Sequence, residues 1–260
     1  MFRIHRTTEP FVRVVIRIRY LNKFHFRTAA YASECQTVDF LIRLQWITGK
    51  FDTYIFQLTG TFADSNGFES DNDGDGSTNT PFTKPVFSNV TLIGPFYGKV
   101  SDRTQAEVEA KTADAANGAK GGKYQAAMHL RRNSSLNIYN SVFTGWPYGL
   151  RATDKKGQAN DGIAIENVIF AGMWKNFYED EKVSENFFNR AGNNTVLENT
   201  RQIIAKDGDY SSVVADAVKG ADFSKLADSF FEKVTYKGAF DGTNDWTEGW
   251  TNWDPQNTVY

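Results

Sequence analysis

Residues 164–172 read AIENVIFAG, and two earlier stretches share the pattern: VFSNVTLIG at 86–94 and NIYNSVFTG at 137–145. Each has an asparagine, three residues rich in β-branched or aromatic side chains, one further residue, and a glycine. The asparagines are Asn89, Asn140 and Asn167, spaced by 51 and 27 residues. The first spacing is close to twice the second, with room for a loop insertion. VLENTRQII around Asn199 reads as a fourth, degenerate copy, 32 residues further on. A strand recurring at this period predicts an all-β solenoid, a parallel β-helix. Each coil contributes a strand too short to bury its own inward face. Stacking coils about 4.8 Å apart pairs the backbone and buries a continuous column of Val, Ile, Leu and Phe. An asparagine at one corner tolerates a left-handed turn and hydrogen-bonds to its neighbour. The glycine permits the bend that follows. A β-sandwich whose strands happen to look alike is the competing architecture.

Outside the repeats the texture changes twice. The chain of 260 residues is long enough for a sizeable core, and its 21 Phe with only 6 Pro argue against disorder. Residues 1–50 form an atypical basic segment with 9 Lys/Arg against 3 Asp/Glu, whereas 51–260, read as the solenoid domain, carries 20 against 28. FVRVVIRIRYL alternates around Arg17 and Arg19 like a strand with a solvated face. Two explanations of 1–50 stand side by side: a natural basic strand region, or a truncated or misread gene product whose upstream coils are missing. The basic arm matches no nucleic-acid-binding motif, so nucleic acid is not expected as a partner. No run of 18 apolar residues predicts a membrane-spanning helix, and the start lacks the pattern of a signal peptide. The single cysteine, Cys35, excludes an internal disulfide and leaves the compartment open. Residues 101–123 read as a polar excursion from one coil. DFSKLADSFFEKV, from Asp222, reads as a short helix with Asp222 or Ser224 as N-cap.

Three blocks in order carry a family resemblance: ADSNGFESDNDGDGSTNTPFTKPVFSNVTLIGP, AAMHLRRNSSLNIYNSVFTGWPYGL and SFFEKVTYKGAFDGTNDWTEGWTNWDPQNTVY. They resemble the C-terminal half of exported bacterial surface proteins, among them type IX secretion cargo and lipoprotein-like proteins. The likeness covers most of 62–260. It implies a right-handed, pectin-lyase-like parallel β-helix in an extracellular or outer-membrane setting, and it brings no activity to any residue. Residues 1–50 depart from it, since further acidic, glycine-rich coils belong there in that group.

Four groups of residues are candidates for chemistry. Asp71, Asp73 and Asp75, followed by Gly76, match positions 1, 3, 5 and 6 of a calcium loop. Position 12, where a bidentate Glu belongs, is Phe82, although Glu69 could reach in. The plainer reading is a polar corner whose Asp and Asn side chains bond their own backbone. In AAMHLRRN, alternation sends Ala126, Met128 and Leu130 inward and places His129 and Arg131 together on the outer face. An outward base beside calcium could remove the proton next to a uronate carboxylate. An arginine on a strand is more often solvated or ion-paired. Trp146 and Tyr148 in GWPYGL are candidates for stacking on glycan rings. Trp246, Trp250 and Trp253 are expected to cap the open end of the solenoid.

The reading that follows is a secreted or cell-surface structural and binding protein contacting glycans or other envelope components, without catalysis. The rival is a calcium-assisted lyase acting on acidic polysaccharide by β-elimination, with Arg131 or His129 as base.

Overall fold

The computed structural model describes residues 13–16, 50–57, 66–94, 125–206 and 209–249. The chain forms β1 (Arg13–Ile16), β2 (Lys50–Gln57), β3 (Phe68–Ser70), β4 (Val86–Ile93), β5 (Ala126–Leu130), β6 (Asn137–Tyr139) and β7 (Val142–Thr144). There follow β8 (Tyr148–Arg151), β9 (Ala164–Glu166), β10 (Ile169–Ala171), β11 (Lys175–Phe177) and helix α1 (Glu181–Asn189). The rest comprises β12 (Thr195–Leu197), a 3-10 turn at Thr200–Gln202, β13 (Ile204–Lys206), β14 (Asp209–Val213) and α2 (Ala215–Val218).

The repeated segments do align with one another. β4, β7, β10 and β12 pair in parallel, and Leu92, Phe143, Phe170 and Val196 fall in one row. The row is set by side-chain alternation: Leu92, Phe143 and Phe170 enter the main core, while Ile93, Val142, Ile169 and Ala171 point to the opposite face. Burying each of these side chains except that of Ala171 contributes about 1.5–3 kcal/mol. Asn89, Asn140 and Asn167 occupy the left-handed region at φ 55°, 48° and 57°. Asn167 Nδ2 donates to Asn140 Oδ1 over 2.7 Å, so two of the corners are joined through their side chains. A Cβ on Gly94 would lie 2.4 Å from the carbonyl oxygen of Gly145, so this strand end admits only glycine.

The all-β right-handed solenoid is nevertheless corrected by the topology. The described strands divide between an eight-stranded sheet ordered β1-β2-β4-β7-β10-β12, with β6 and β9 beside it, and a four-stranded sheet ordered β11-β8-β5-β3. β1 joins antiparallel to β2, β13 and β14 form an antiparallel pair, and helices α1 and α2 are added. Among the described residues these sheets do not close into a solenoid, and the fold reads as mixed α/β. The physical reason is that the Asn-to-Gly period specifies how strands stack within one sheet. It carries no information on whether each turn of chain closes on itself.

The main core lies between the eight-stranded and the four-stranded sheet. Its spine is aromatic: Phe68 meets Phe87 at 5.0 Å and Phe143 at 6.0 Å, Phe143 meets Phe170 at 5.9 Å, and Phe170 stacks on Phe188 of α1 at 4.4 Å. α1 forms because Asp180 caps it, accepting from Val183 N, and because Phe187 and Phe188 bury against this spine. A second core covers the opposite face of the eight-stranded sheet. There Ile93, Val142, Ile169 and Ala171 pack beneath Val213, Val218, Ala239 and Phe240.

Three local expectations change with this. The stretch from Asp222 is a series of turns rather than a helix: Asp222 Oδ1 accepts from Ser224 N, and Asp228 Oδ1 accepts from Phe230 N. Trp246 stacks on Phe240 in the second core, so the C-terminal segment covers a sheet face rather than an open end. The fourth strand is β12, set by Asn193 and Asn194, which accept from Asn167 N and Val168 N. Asn199 instead caps the 3-10 turn. Trp250, Trp253, Cys35, residues 101–123 and most of 1–50 lie outside the described residues. Among the described residues no helix is long and apolar enough to cross a membrane.

Candidate functional site

The four-stranded sheet carries the polar chemistry. Its parallel register sets Glu69 opposite His129, and His129 opposite Arg151, in one row. Alternation places His129 and Arg131 together on an outer face, but His129 is buried in β5, and neither residue is poised as a base. His129 is only 2% exposed. Its Nε2 lies 3.4 Å from the Thr153 carbonyl, and Nδ1 has no partner among the described residues. Burial, then the Arg151 and Arg131 charges, push the imidazole down to about 3, so it stays neutral. Arg131 is bound on every side: Nε donates to Asp71 Oδ1 at 2.7 Å, Nη2 contacts Glu69, and Asp154 lies at 3.7 Å. Burial opposes its charge, yet the Asp71 hydrogen bond and the surrounding carboxylates outweigh burial and hold the guanidinium more firmly protonated.

Asp71 also accepts from Arg132 Nη1 at 3.0 Å, and Arg132 Nε reaches Asp154 at 3.0 Å. Two arginines and three carboxylates thus form one partly buried network tying β3 to the turn after β5. The three aspartates of the acidic loop do not share a centre. Asp71 belongs to the arginines. Asp73 Oδ1 accepts from Asp75 N at 2.9 Å and Ser77 N at 3.0 Å, with its other oxygen on the Ser77 hydroxyl. The Ser77 bonds lead in lowering its pKa. Asp75 is exposed beside Lys156 at 3.4 Å. Among the described residues no three His, Cys, Asp or Glu side chains are placed to hold a metal ion.

The aromatic candidates separate. Trp146 is wholly buried in the main core and presents no surface. Tyr148 is half-buried at the rim, where it stacks on Tyr178 at 3.9 Å and meets Trp174 at 5.8 Å. Lys175 Nζ lies 5.4 Å from the Trp174 ring centre, and the Arg151 guanidinium 5.7 Å from that of Tyr178. Arg151 and Glu179 form a bidentate pair, both contacts at 2.7 Å, and Thr153 donates to Glu179 at 3.0 Å. The Arg151 bond leads in holding the Glu179 carboxyl below its ordinary range. Glu179 sits at φ 69°, a conformation that costs a non-glycine residue about 1–2 kcal/mol.

This cluster of Tyr148, Trp174 and Tyr178 beside Arg151 and Glu179 is the candidate site. Sequence reasoning missed Trp174, Tyr178 and Glu179, though a signal existed. The 27-residue period carried from Tyr148 lands on Lys175, its actual neighbour across β8 and β11. Applied to aromatics rather than to asparagines, that period would have brought GWPYGL and GMWKNFY together.

In comparison with known proteins, the chain matches no family model, no curated protein and no solved structure.

Proposed function

We propose that this is a non-catalytic binding protein that recognises a glycan or a similar component of the cell envelope. The observation that carries the reading is the half-buried cluster of Tyr148, Trp174 and Tyr178 at the rim of the four-stranded sheet. Aromatic rings beside a fixed guanidinium–carboxylate pair offer a ligand apolar contact together with directed hydrogen bonding. An extracellular or outer-surface setting belongs to the same proposal, supported by the resemblance of three blocks within 62–260. The β-elimination alternative finds little footing here. The arginine it needs is held by Glu69, Asp71 and Asp154, and its histidine is buried and neutral.

The test is calorimetric titration with a panel of soluble polysaccharides, alongside absorbance from unsaturated products on polygalacturonate with calcium. Saturable binding with a flat absorbance trace is expected. Rising absorbance, lost in Arg131→Ala, would replace binding with catalysis.

A further inference from the structure

We infer that the aromatic site selects a neutral, hydroxyl-rich saccharide chain and rejects a uronate chain. This rests on the glycan-binding reading above and adds the ligand's charge class.

Charge balance decides between the two. The cations at the site are Arg151 and Lys175. Arg151 is already neutralised by the bidentate Glu179 contact, and its Nη1 donates to Gln125 Oε1 at 3.1 Å. Lys175 lies 3.6 Å from Glu181. Asp180, between those two carboxylates in sequence, is committed to the α1 N-cap. Three consecutive carboxylates, Glu179 to Glu181, therefore stand at the rim against two cations that are both paired. A uronate carboxylate arriving here would meet like charge and would have to displace Glu179 from Arg151. A neutral sugar pays neither cost.

The geometry also supplies what a neutral sugar requires. The tyrosines stack on one another at 3.9 Å, and the half-buried Trp174 indole, met at an angle by Tyr148 and overlain by the exposed Lys175 side chain at 5.4 Å, is the ring that takes the apolar C–H face of a pyranose when that lysine moves aside. Glu179 Oε2 is taken by Arg151 Nε and Thr153, whereas Oε1, used by Arg151 Nη2 alone, keeps a lone pair that accepts from a ring hydroxyl. The position of these oxygens is fixed by the strained backbone at Glu179. Glu179 ties Arg151 and Thr153 together at the edge of the aromatic cluster, and the same contacts hold its free acceptor position beside the rings.

The test is calorimetry with hexasaccharides of glucose, xylose and mannose against oligogalacturonate of equal length, at low and at high sodium chloride. Expected is binding of at least one neutral chain with affinity unchanged by salt. Affinity should fall by about tenfold or more in Trp174→Ala. It should fall less in Trp174→Phe, which keeps a ring and guards against a folding artefact. Glu179→Gln, which removes one charge and keeps the shape, should weaken the neutral ligand and improve the acidic one. Preferential, salt-sensitive binding of oligogalacturonate would overturn this inference and leave glycan binding standing. Binding of neither class, in a protein with a native melting transition, would overturn the glycan-binding proposal itself.

Discussion

His129 is held neutral by burial beneath two arginines, and this has a consequence for stability. An ordinary histidine, as in the unfolded chain, binds a proton below about pH 6.5, whereas the folded group waits until about 3. Between those values the unfolded state holds one more proton, so stability falls as pH falls, by about 1.4 kcal/mol per pH unit. Above about 6.5 neither state is protonated and the contribution is flat. Urea unfolding of the wild type and of His129→Met across this range should differ in slope by that amount. Superimposable profiles would mean that His129 titrates normally in the folded protein. Asp73 makes a second prediction at the same scale. Its carboxylate serves the backbone of its own turn, so Asp73→Ala should lower the melting temperature equally with and without millimolar calcium. A calcium-dependent rise in the wild type that disappears in the variant would restore the metal loop.

At the scale of elements, the asparagine corners clamp the C-terminal segment to the eight-stranded sheet. Asn89 Nδ2 donates to the Tyr236 carbonyl at 2.7 Å, Asn140 Nδ2 to that of Asp222 at 2.9 Å, and Asn167 Nδ2 to that of Gly220 at 2.8 Å. Asn140 Oδ1 also accepts from Asp222 N at 2.8 Å. Asn140→Ala would lose these bonds and place a Cβ without a side-chain acceptor in the left-handed region. A cost of about 3–5 kcal/mol follows, of which Asn140→Gly should recover about 1–2. Equal losses in the two variants, by denaturant unfolding, would show that the backbone conformation is not under strain there. The asparagines were legible in sequence because a left-handed corner restricts residue choice. Their partners were not, since Tyr236, Asp222 and Gly220 contribute only backbone groups that almost any residue would supply. The same asymmetry explains the helices. EDEKVSENFFN is dominated by charged and polar residues, yet Asp180 and the Phe187–Phe188 pair make it α1. DFSKLADSFF has helical spacing, but Asp222 and Asp228 spend their carboxylates on turns, and Phe230 is left exposed while Phe231 is buried.

Over the whole molecule, the eight-stranded sheet is a wall shared by two cores. Phe170 faces one side and Ile169 and Ala171 the other, so neither core can dissolve without exposing the back of the strands that support its neighbour. That coupling was out of reach of the sequence. The repeat marked which residues stack, whereas the split into two sheets with a separate second core depends on where the irregular C-terminal segment lands. A shared wall predicts one cooperative transition. Phe170→Ala in the main core and Phe240→Ala in the second should each cost about 3–5 kcal/mol. Each should move the same midpoint, whether followed by circular dichroism or by tryptophan fluorescence. If the C-terminal segment were only an appended flap, Phe240→Ala would produce an early, partial transition and leave the main midpoint in place. Two transitions of that kind would separate the cores and reduce the asparagine clamp to a local fastening.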